Sequence, residues 1–284
     1  MSSLVQNTPE WLEYRKSKIG ASDAPIIMGV SQWDTCFTLW EKKLGLKYEA
    51  EMSFAMKRGH DLEEEARKSF EKYTGLIVFP QVMQHPKHEW MIASLDGIDF
   101  AHENIVEIKC PGFDDHSIAL SGKVPDKYYP QLQHQLEVTG LDKAFYYSYD
   151  GSYGKLLEVK RDDSYIKLMV DKEKAFWKCL QNLEPPELSD KDYISKDDEL
   201  WSMAAESWIK CNTELQYWKA REEEMRESLI ALSSGNNSKG GGIKLSKFIR
   251  KGNVEYKSIP ELRGVDLDKY RKRPIECWRV SKYD

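Results

Sequence analysis

The sequence predicts an α+β fold, in which a central mixed β-sheet is flanked by helices and is followed by a helical and basic C-terminal extension. Two observations lead to this prediction: helix signals dominate the first 75 residues, and strand-like segments interspersed with helices come only after them. The composition is a third, because 40% hydrophobic and 12% aromatic residues suffice for a substantial core in a chain of 284 residues.

Two helices are predicted close to the N-terminus. Thr8-Pro9-Glu10 joins an N-cap residue to a proline at the first helical position, so a helix is expected from there. A short second helix is expected within 20–30, and either Ser22 or Asp23 could cap it.

Two further helices and a set of strands follow. The segment 35–45 predicts a helix that ends at Gly45, and the segment 51–75 contains a longer helix that ends at Gly75. The apolar stripe of the longer helix is expected to comprise Leu62, Ala66, Phe70 and Tyr73. Beyond it the sequence predicts strands at 77–83, 90–95 and 104–109, a helix at 125–140, a hairpin around Asp150-Gly151-Ser152 and a helix at 162–181.

Pro185-Pro186 marks a break between regions that differ in charge. We predict a body over 1–184, a linker with a long helix over 185–238, and a basic, aromatic-containing unit over 239–284. The basic unit has a net charge of +7 (13 Lys and Arg, 6 Asp and Glu), and the rest of the chain has −12. Such asymmetry is typical of a partner surface or of a solvated tail. The helix at 197–233 is expected to bury one side, and the segment SSGNNSKGGG after it is expected to be a flexible loop.

Several classes of protein do not fit the sequence. No apolar run approaches about 18 residues, so no membrane-spanning helix is predicted. The N-terminus lacks a basic segment followed by an apolar one, so no secretory signal is predicted. The five cysteines are scattered without CxxC spacing, which is typical of reduced thiols in a cytoplasmic protein.

The stretch ASLDGIDFAHENIVEIKCPG holds charged residues that a strand pair could bring together. Alternation along a strand puts Glu107 and Lys109 on one face and Val106 and Ile108 on the other. Asp96 is expected in a turn, from which a hairpin would bring it back beside Glu107. Two carboxylates this close disfavour joint ionisation unless a cation lies between them. The pattern therefore predicts either a metal-dependent catalytic centre or a solvated edge.

A metal centre of this kind would suit hydrolysis of a phosphodiester. Carboxylate oxygens favour Mg²⁺ or Mn²⁺, and a lysine beside metal-bound water can orient it, help to deprotonate it or stabilise the transition state. Glu63 borders the inward helix stripe and could add a third carboxylate, or be a solvated member of an EEE run. Gln131 and Gln135, one helical turn apart, could bind phosphate or water, or form a polar helix edge.

Five segments, RKSKIGASD, KRGHDLEEEAR, ASLDG, EIKCP and YYPQLQHQLEVTG, together resemble a known family. In order and approximate spacing they resemble the PD-(D/E)XK nucleases of the lambda-exonuclease-like, YqaJ-type phage recombinase group. The resemblance covers about residues 10–181 and implies a restriction-endonuclease-like core that cleaves double-stranded DNA with Mg²⁺. It implies that Glu63, Asp96, Glu107 and the backbone carbonyl of Ile108 are metal ligands. Lys109 and Gln131 would complete the catalytic set.

The resemblance also implies a pocket for the end of the DNA. Arg15 and Ser22 match positions that bind a 5′-phosphate, for which an arginine fork and a hydroxyl are suited. The other interpretation of Ser22 is a helix cap. The chain departs from the lambda-type pattern at Phe54 and Asp115, where basic residues are expected. The residues that could replace them are Lys57, Arg58 and Lys123.

Three functions follow from these observations. The first is a 5′-to-3′ exonuclease that resects duplex ends in phage-type homologous recombination, in the cytoplasm of a bacterial host cell. For it the resemblance implies a homo-oligomer in the form of a trimeric ring, and a single-strand annealing protein as partner. The second is a metal-dependent endonuclease on the same fold, and the third is a non-catalytic DNA-binding or assembly protein. The C-terminal aromatics Phe248, Tyr256, Tyr270 and Trp278 suit either stacking on bases or a small core.

Overall fold

The structure, a computed structural model, describes residues 8–47 and 54–262, together with 265, 270, 280 and 281. It divides the chain into two units, Met1–Ile194 and Ser195–Asp284. The predicted limits of the body, of the linker with its long helix and of the basic unit stay predictions.

The first unit contains the predicted mixture of helices and strands. Its helices are α1 (Pro9–Lys16), α2 (Ala24–Ile27), α3 (Cys36–Lys43), α4 (Phe54–Thr74), α5 (Phe113–Leu120), α6 (Tyr129–Thr139) and α7 (Asp163–Asn182). Its strands are β1 (Ile19–Gly20), β2 (Val78–Gln84), β3 (Met91–Asp99), β4 (Ile105–Lys109), β5 (Lys143–Tyr149) and β6 (Gly154–Lys160). These elements confirm the α+β class and lie close to the predicted segments.

Local sequence signals set several helix ends. The Thr8 side chain accepts a hydrogen bond from the Trp11 amide (3.3 Å) and caps α1, as predicted. Gly140 ends α6 with φ +72°, in the left-handed region that favours glycine. Asp162 caps α7 by accepting from the Tyr165 amide at 2.9 Å.

The six strands form one mixed sheet around β3. Strand β2 runs antiparallel along one edge of β3, and β1 (parallel) and β4 (antiparallel) share the other edge. From β4 the sheet continues through a parallel pairing with β5 and an antiparallel hairpin to β6. The carboxyl ends of β4 and β5 therefore lie side by side.

Helices cover both faces of the sheet. On one face, Ala66 and Phe70 of α4 pack with Val106, Ile108 and Tyr147 in a small apolar cluster. The larger core lies between the other face of the sheet and the helices α2, α3, α6 and α7. It includes Ile19, Leu95, Leu132, Tyr146 and Met169. The prediction that Tyr73 belongs to the α4 stripe is wrong, because its side chain is 72% exposed, and Leu76 and Phe145 pack against the cluster instead.

A charged pair is enclosed in the larger core. Nδ1 of His134 on α6 lies 2.8 Å from Oε1 of Glu173 on α7, and both side chains are fully buried. Nε2 of His134 lies 2.9 Å from the Ile92 carbonyl oxygen. Since both neighbours are acceptors, a doubly protonated imidazolium satisfies the two contacts. Burial lowers the pKa of His134, but Glu173 and the Ile92 carbonyl outweigh it and leave this pKa above its ordinary value.

The second unit contains α8 (Glu199–Leu232), β7 (Ser238–Gly240) and β8 (Ile243–Leu245). The predicted helix is present, and the described residues of its own unit bury none of its side chains, so its one-sided burial stays a prediction. The flexible-loop prediction is wrong in part, because β7 and β8 pair as a hairpin. Its turn is made by Gly241 and Gly242 with φ +56° and +81°, values that favour glycine.

The aromatic residues of the basic unit are exposed where the structure describes them. The exposed fractions are 81% for Phe248, 59% for Tyr256 and 79% for Tyr270, and Trp278 lies outside the described residues. Exposure favours the stacking interpretation over a small core for these three.

In the described part of the chain, every helix is too short or too polar to cross a bilayer.

Candidate active site

Asp96 lies inside a strand and not in the predicted turn. The register between β3 and β4 pairs Gly97 with Val106 and Ile98 with Ile105, so Asp96 and Glu107 occupy the next positions along the two strands. The chain instead turns after Asp99. Gly97 is required by close strand packing, because a Cβ atom there would lie 2.6 Å from Cγ2 of Val78. The sequence Asp-Gly was therefore misread as a turn signal.

The Asp96 carboxylate closes the end of this strand pair. Its Oδ2 accepts a hydrogen bond from the Ile108 backbone amide at 2.9 Å. A side chain therefore takes the place that a strand carbonyl would occupy in a continued ladder. This contact fixes the Asp96 side chain next to the segment that carries Glu107 and Lys109.

Glu107 is the centre of a buried polar cluster. Its side chain is 1% exposed, and its Oε1 accepts from Nζ of Lys109 at 2.6 Å and from Nε2 of Gln131 at 2.6 Å. Its Oε2 accepts from Nε2 of Gln135, one turn further along α6. Val106 and Ile108 lie on the opposite face, in the cluster with α4. The predicted division of β4 into a polar and an apolar face is confirmed.

The electrostatics of the cluster keep Lys109 protonated. Burial lowers the pKa of Lys109, but the Glu107 and Asp96 carboxylates outweigh it and raise this pKa above its usual value. The ammonium group also lies 5.4 Å from the centre of the Tyr128 ring, a cation–π distance. Lys109 is thus a fixed positive charge, suited to orienting a nucleophile or stabilising negative charge rather than to removing a proton.

For Asp96 the surroundings disfavour the charged form, in contrast to Lys109. Burial raises its pKa well above the ordinary value, and the neighbouring carboxylates of Glu107 and Glu63 raise it further. Glu63 on α4 accepts from Arg67 at 3.1 Å, and Nε of Arg67 donates to the Asp96 carbonyl oxygen at 3.2 Å. Arg67 therefore links the helix carboxylate to the strand that carries Asp96.

The structure brings the predicted site residues together to different degrees. Glu107, Lys109 and Gln131 are in direct contact, Asp96 adjoins them, and Glu63 is turned towards Arg67. Within the described ranges, no three His, Cys, Asp or Glu side chains are placed to share one metal ion. The donor chemistry nevertheless fits a divalent cation: burial, and then the charges of Glu107 and Glu63, raise the pKa of Asp96, and a bound cation would stabilise the charged carboxylates.

Arg15 and Ser22 also meet. Nη2 of Arg15 donates to the Ser22 hydroxyl at 3.1 Å, and its guanidinium lies 4.7 Å from the centre of the Trp11 ring. Ser22 does not cap a helix: it is exposed within a 3₁₀ turn at Ala21–Asp23, and the carboxylate of Asp23 accepts from the Gly20 amide instead. The following helix, α2, has only four residues, so its dipole would contribute little to the binding of a phosphate.

A buried ion pair between Lys43 and Asp23 stabilises the chain segment next to the Arg15–Ser22 contact. Nζ of Lys43 on α3 lies 2.7 Å from Oδ2 of Asp23, and both side chains are 6% exposed. The same ammonium donates to the carbonyl oxygen of Lys18 at 2.8 Å. Burial raises the pKa of Asp23, but Lys43 and Arg15 outweigh it and leave this pKa below its ordinary value. Lys43 therefore ties together the chain on both sides of β1.

Residues at the site that the sequence did not single out for these roles are Arg67 and Tyr128. The signal for Arg67 was its position four residues after Glu63, a spacing at which helical side chains of opposite charge meet.

The residues predicted to replace the missing basic residues differ in how available their side chains are to contact DNA. Arg58 donates to two backbone carbonyls, at 3.2 and 2.6 Å, and Asp115 pairs with Lys127 at 2.6 Å. Lys57 and Lys123 are exposed, and the Phe54 side chain lies outside the described residues.

Comparisons with known proteins agree with this geometry. Residues 10–142 match the model of the YqaJ-like viral recombinase domain. The chain is 32% identical over 175 residues to the uncharacterized protein YqaJ of Bacillus subtilis (strain 168), an alignment that covers 59% of this chain and 54% of that relative.

Solved structures give the same result for the fold. An alkaline exonuclease from Laribacter hongkongensis (LHK-Exo) is similar, with 28% identity, a TM-score of 0.55, and coverage of 62% of this chain and 94% of that one. The complex of LHK-Exo with dAMP gives the same values. Residues 10–142 are therefore similar to the YqaJ-like viral recombinase domain, which is the resemblance that the five sequence segments predicted.

Proposed function

We propose that this protein is a Mg²⁺-dependent exonuclease that hydrolyses phosphodiester bonds at the ends of double-stranded DNA. The observation that carries the proposal is the contact of Glu107, Lys109 and Gln131 beside Asp96, at one end of the strand pair β3–β4. The similarity to a solved structure described as an alkaline exonuclease, and to its complex with a nucleotide, supports the same activity.

In this proposal each residue has a defined task. Glu63, Asp96, Glu107 and the backbone carbonyl of Ile108 would hold Mg²⁺, for which Mn²⁺ would substitute. The ion would supply charge neutralisation at the phosphate and a more acidic bound water. Lys109 stabilises developing negative charge as a fixed cation, and Gln131 orients the Glu107 carboxylate.

The direct test is cleavage by the purified protein, with and without Mg²⁺, of linear duplex with 5′-phosphate ends, linear duplex with 5′-hydroxyl ends, and closed circular duplex. We expect loss of linear duplex only when Mg²⁺ is present, and no cutting of closed circular duplex. Cutting of the circles would show an endonuclease on the same fold. If no substrate were degraded in the presence of Mg²⁺, the proposal would be refuted, and a DNA-binding or assembly protein would be the remaining function.

We further propose a 5′-to-3′ direction, because the Arg15–Ser22 pair is suited to a terminal phosphate. The guanidinium has donors to spare beyond the one it gives to Ser22, and the exposed hydroxyl can rotate to donate. In phage-type recombination such an enzyme would leave a 3′ single strand for an annealing protein. A trimeric ring and a cytoplasmic location in the bacterial host complete the proposal. The ring comes from the family resemblance, and the cytoplasmic location is suggested by the scattered cysteines.

Arg15→Gln is expected to reduce the preference for 5′-phosphorylated ends. The loss should be about 10- to 100-fold, since one charge-assisted hydrogen bond contributes about 1.5–3 kcal/mol. The measurement is the ratio of cleavage rates on duplexes with 5′-phosphate and 5′-hydroxyl ends. Lys16→Gln is the matched control, because Lys16 is an exposed neighbour that pairs with Glu13 at 2.7 Å. If Arg15→Gln lowered the cleavage rate equally on both kinds of end, the proposed 5′-phosphate pocket would be refuted. The assignment of the metal site would not be affected.

A further inference from the structure

Helix α8 carries a repeat that the proposed nuclease activity does not use. Counting from Trp201 in alternate steps of three and four residues gives ten positions that end at Leu232, and nine of these are apolar. The exception is Glu222. Ten of the eleven charged residues of α8 lie outside these positions. An apolar repeat of 3.5 residues sustained over more than four heptads is the pattern of a coiled coil.

The described residues of the second unit provide no partner for the repeat. None of them buries an α8 side chain, and Trp201, Leu215 and Trp218 are 56%, 50% and 64% exposed. At 1.5 Å per residue the 34 residues of α8 extend over about 51 Å. A stripe of this length, with three tryptophans in it, is larger than the scattered apolar exposure of ordinary surfaces.

We propose that this stripe binds the α8 helix of a second copy of the chain, in the antiparallel direction. In full overlap, Leu215 faces Trp218 of the second copy, and Trp208 faces Met225 of the second copy. Glu222 then faces the small side chain of Cys211 and not a second carboxylate. The two-fold symmetry of the pair repeats each of these contacts, as a closed two-helix contact requires. This contact is separate from the proposed trimeric ring and would join copies that belong to two different rings.

The charges beside the stripe select this direction. In the antiparallel pair the flanking positions place Glu214 against Arg221 of the second copy, twice by symmetry, which gives attraction. A parallel pair would place Arg221 against Arg226 of the second copy and Glu222 against Glu222 in the core. Like charges at both places disfavour the parallel pair. Charge complementarity therefore supports a second copy of α8 as the occupant and favours the antiparallel orientation.

Cysteine cross-linking in the full chain tests the orientation. In Glu222→Cys the new thiol would face Cys211 of the second copy, so a mild thiol oxidant should give a covalent dimer on a non-reducing gel. The wild-type chain should not cross-link through Cys211, because in the antiparallel pair the two Cys211 residues lie about 16 Å apart along the axis. Adding Cys211→Ser to Glu222→Cys should abolish the cross-link, and this variant also controls for the other cysteines.

Two outcomes would overturn the proposal. A cross-link in the wild type that disappears in Cys211→Ser would show parallel helices. Absence of a cross-link in Glu222→Cys would show that α8 is free, or is covered by the last residues of its own chain or by another protein.

Self-association of the full chain provides an independent measurement. Arg221→Glu should weaken the dimer by about tenfold, because two attractive pairs become repulsive. The double change Glu214→Arg with Arg221→Glu restores opposite charges and should recover the wild-type dissociation constant in sedimentation equilibrium. Helix content by circular dichroism controls for the loss of the ion pair that Arg221 makes with Glu224 in its own helix. A tighter association of Arg221→Glu would contradict the antiparallel pair, since this change relieves the repulsion of a parallel one.

Discussion

Replacing Lys109 by methionine is expected to lower the rate of DNA cleavage by on the order of 10²–10³-fold while DNA binding stays within a few-fold of the wild type. The reason is that Lys109 is a fixed cation held against Glu107 at 2.6 Å and also influenced by Asp96. Its charge has most value when negative charge develops at the phosphate, so its loss affects the transition state more than the bound substrate. The measurements are single-turnover cleavage of linear duplex with Mg²⁺ and a binding assay without cleavage.

A matched control is available in the same sheet. Lys143 also pairs with a glutamate, Glu158, at 2.9 Å, but both side chains are about half exposed. Lys143→Met should therefore leave the cleavage rate unchanged within about twofold, as expected for an exposed pair. Undiminished turnover in Lys109→Met would refute the assignment of Lys109, and equal losses in both variants would point to a general effect of removing positive charge.

Glu173→Ala is expected to lower the free energy of unfolding by about 3–5 kcal/mol, because it leaves His134 without its partner in the core. The pair is fully buried, and Glu173 is the carboxylate that keeps the His134 pKa above its ordinary value. Chemical denaturation monitored by fluorescence measures the change. Glu158→Ala, which removes the same atoms from an exposed pair, should cost less than about 1 kcal/mol.

The same pair predicts how stability depends on pH. A histidine with a raised pKa in the folded state binds its proton more tightly there than in the unfolded chain, where the pKa is about 6.5. Its stabilising contribution is therefore complete below about pH 6.5 and is lost as the pH rises through the higher pKa of the folded state. In Glu173→Gln this decline should disappear, because a neutral amide can pair with a neutral imidazole. A decline of unchanged size in Glu173→Gln would show that other groups cause it.

The sequence predicted the parts of the site that depend on local rules. Alternation along β4 was sufficient to place Glu107 and Lys109 opposite Val106 and Ile108. The i,i+4 spacing on α6 was sufficient to place Gln131 and Gln135 on one face, and both donate to Glu107. Capping rules located the start of α1 at Thr8.

The errors arose where packing between distant segments decides the outcome. Asp96-Gly97 has the composition of a turn, but the approach of Val78 to Gly97 keeps it extended. Tyr73 has the correct helical spacing, yet Phe145, more than 70 residues away, packs on the α4 cluster where Tyr73 was expected. For α8 a one-sided pattern was recognised, but the pattern alone does not show whether its partner lies in the same chain.

The hydrogen bond from the Ile108 amide gives Asp96 an importance that is independent of chemistry. A homologue that lacked the proposed cleavage activity would still use an acceptor at this place to bind the Ile108 amide, so it would have a reason to retain Asp96. Among the residues that the structure describes, the Lys109 ammonium contacts the Glu107 carboxylate and the Tyr128 ring, and none of their backbone groups is hydrogen-bonded to it. Among homologues, the presence of the lysine should therefore distinguish working nucleases from inactive ones better than the presence of the aspartate.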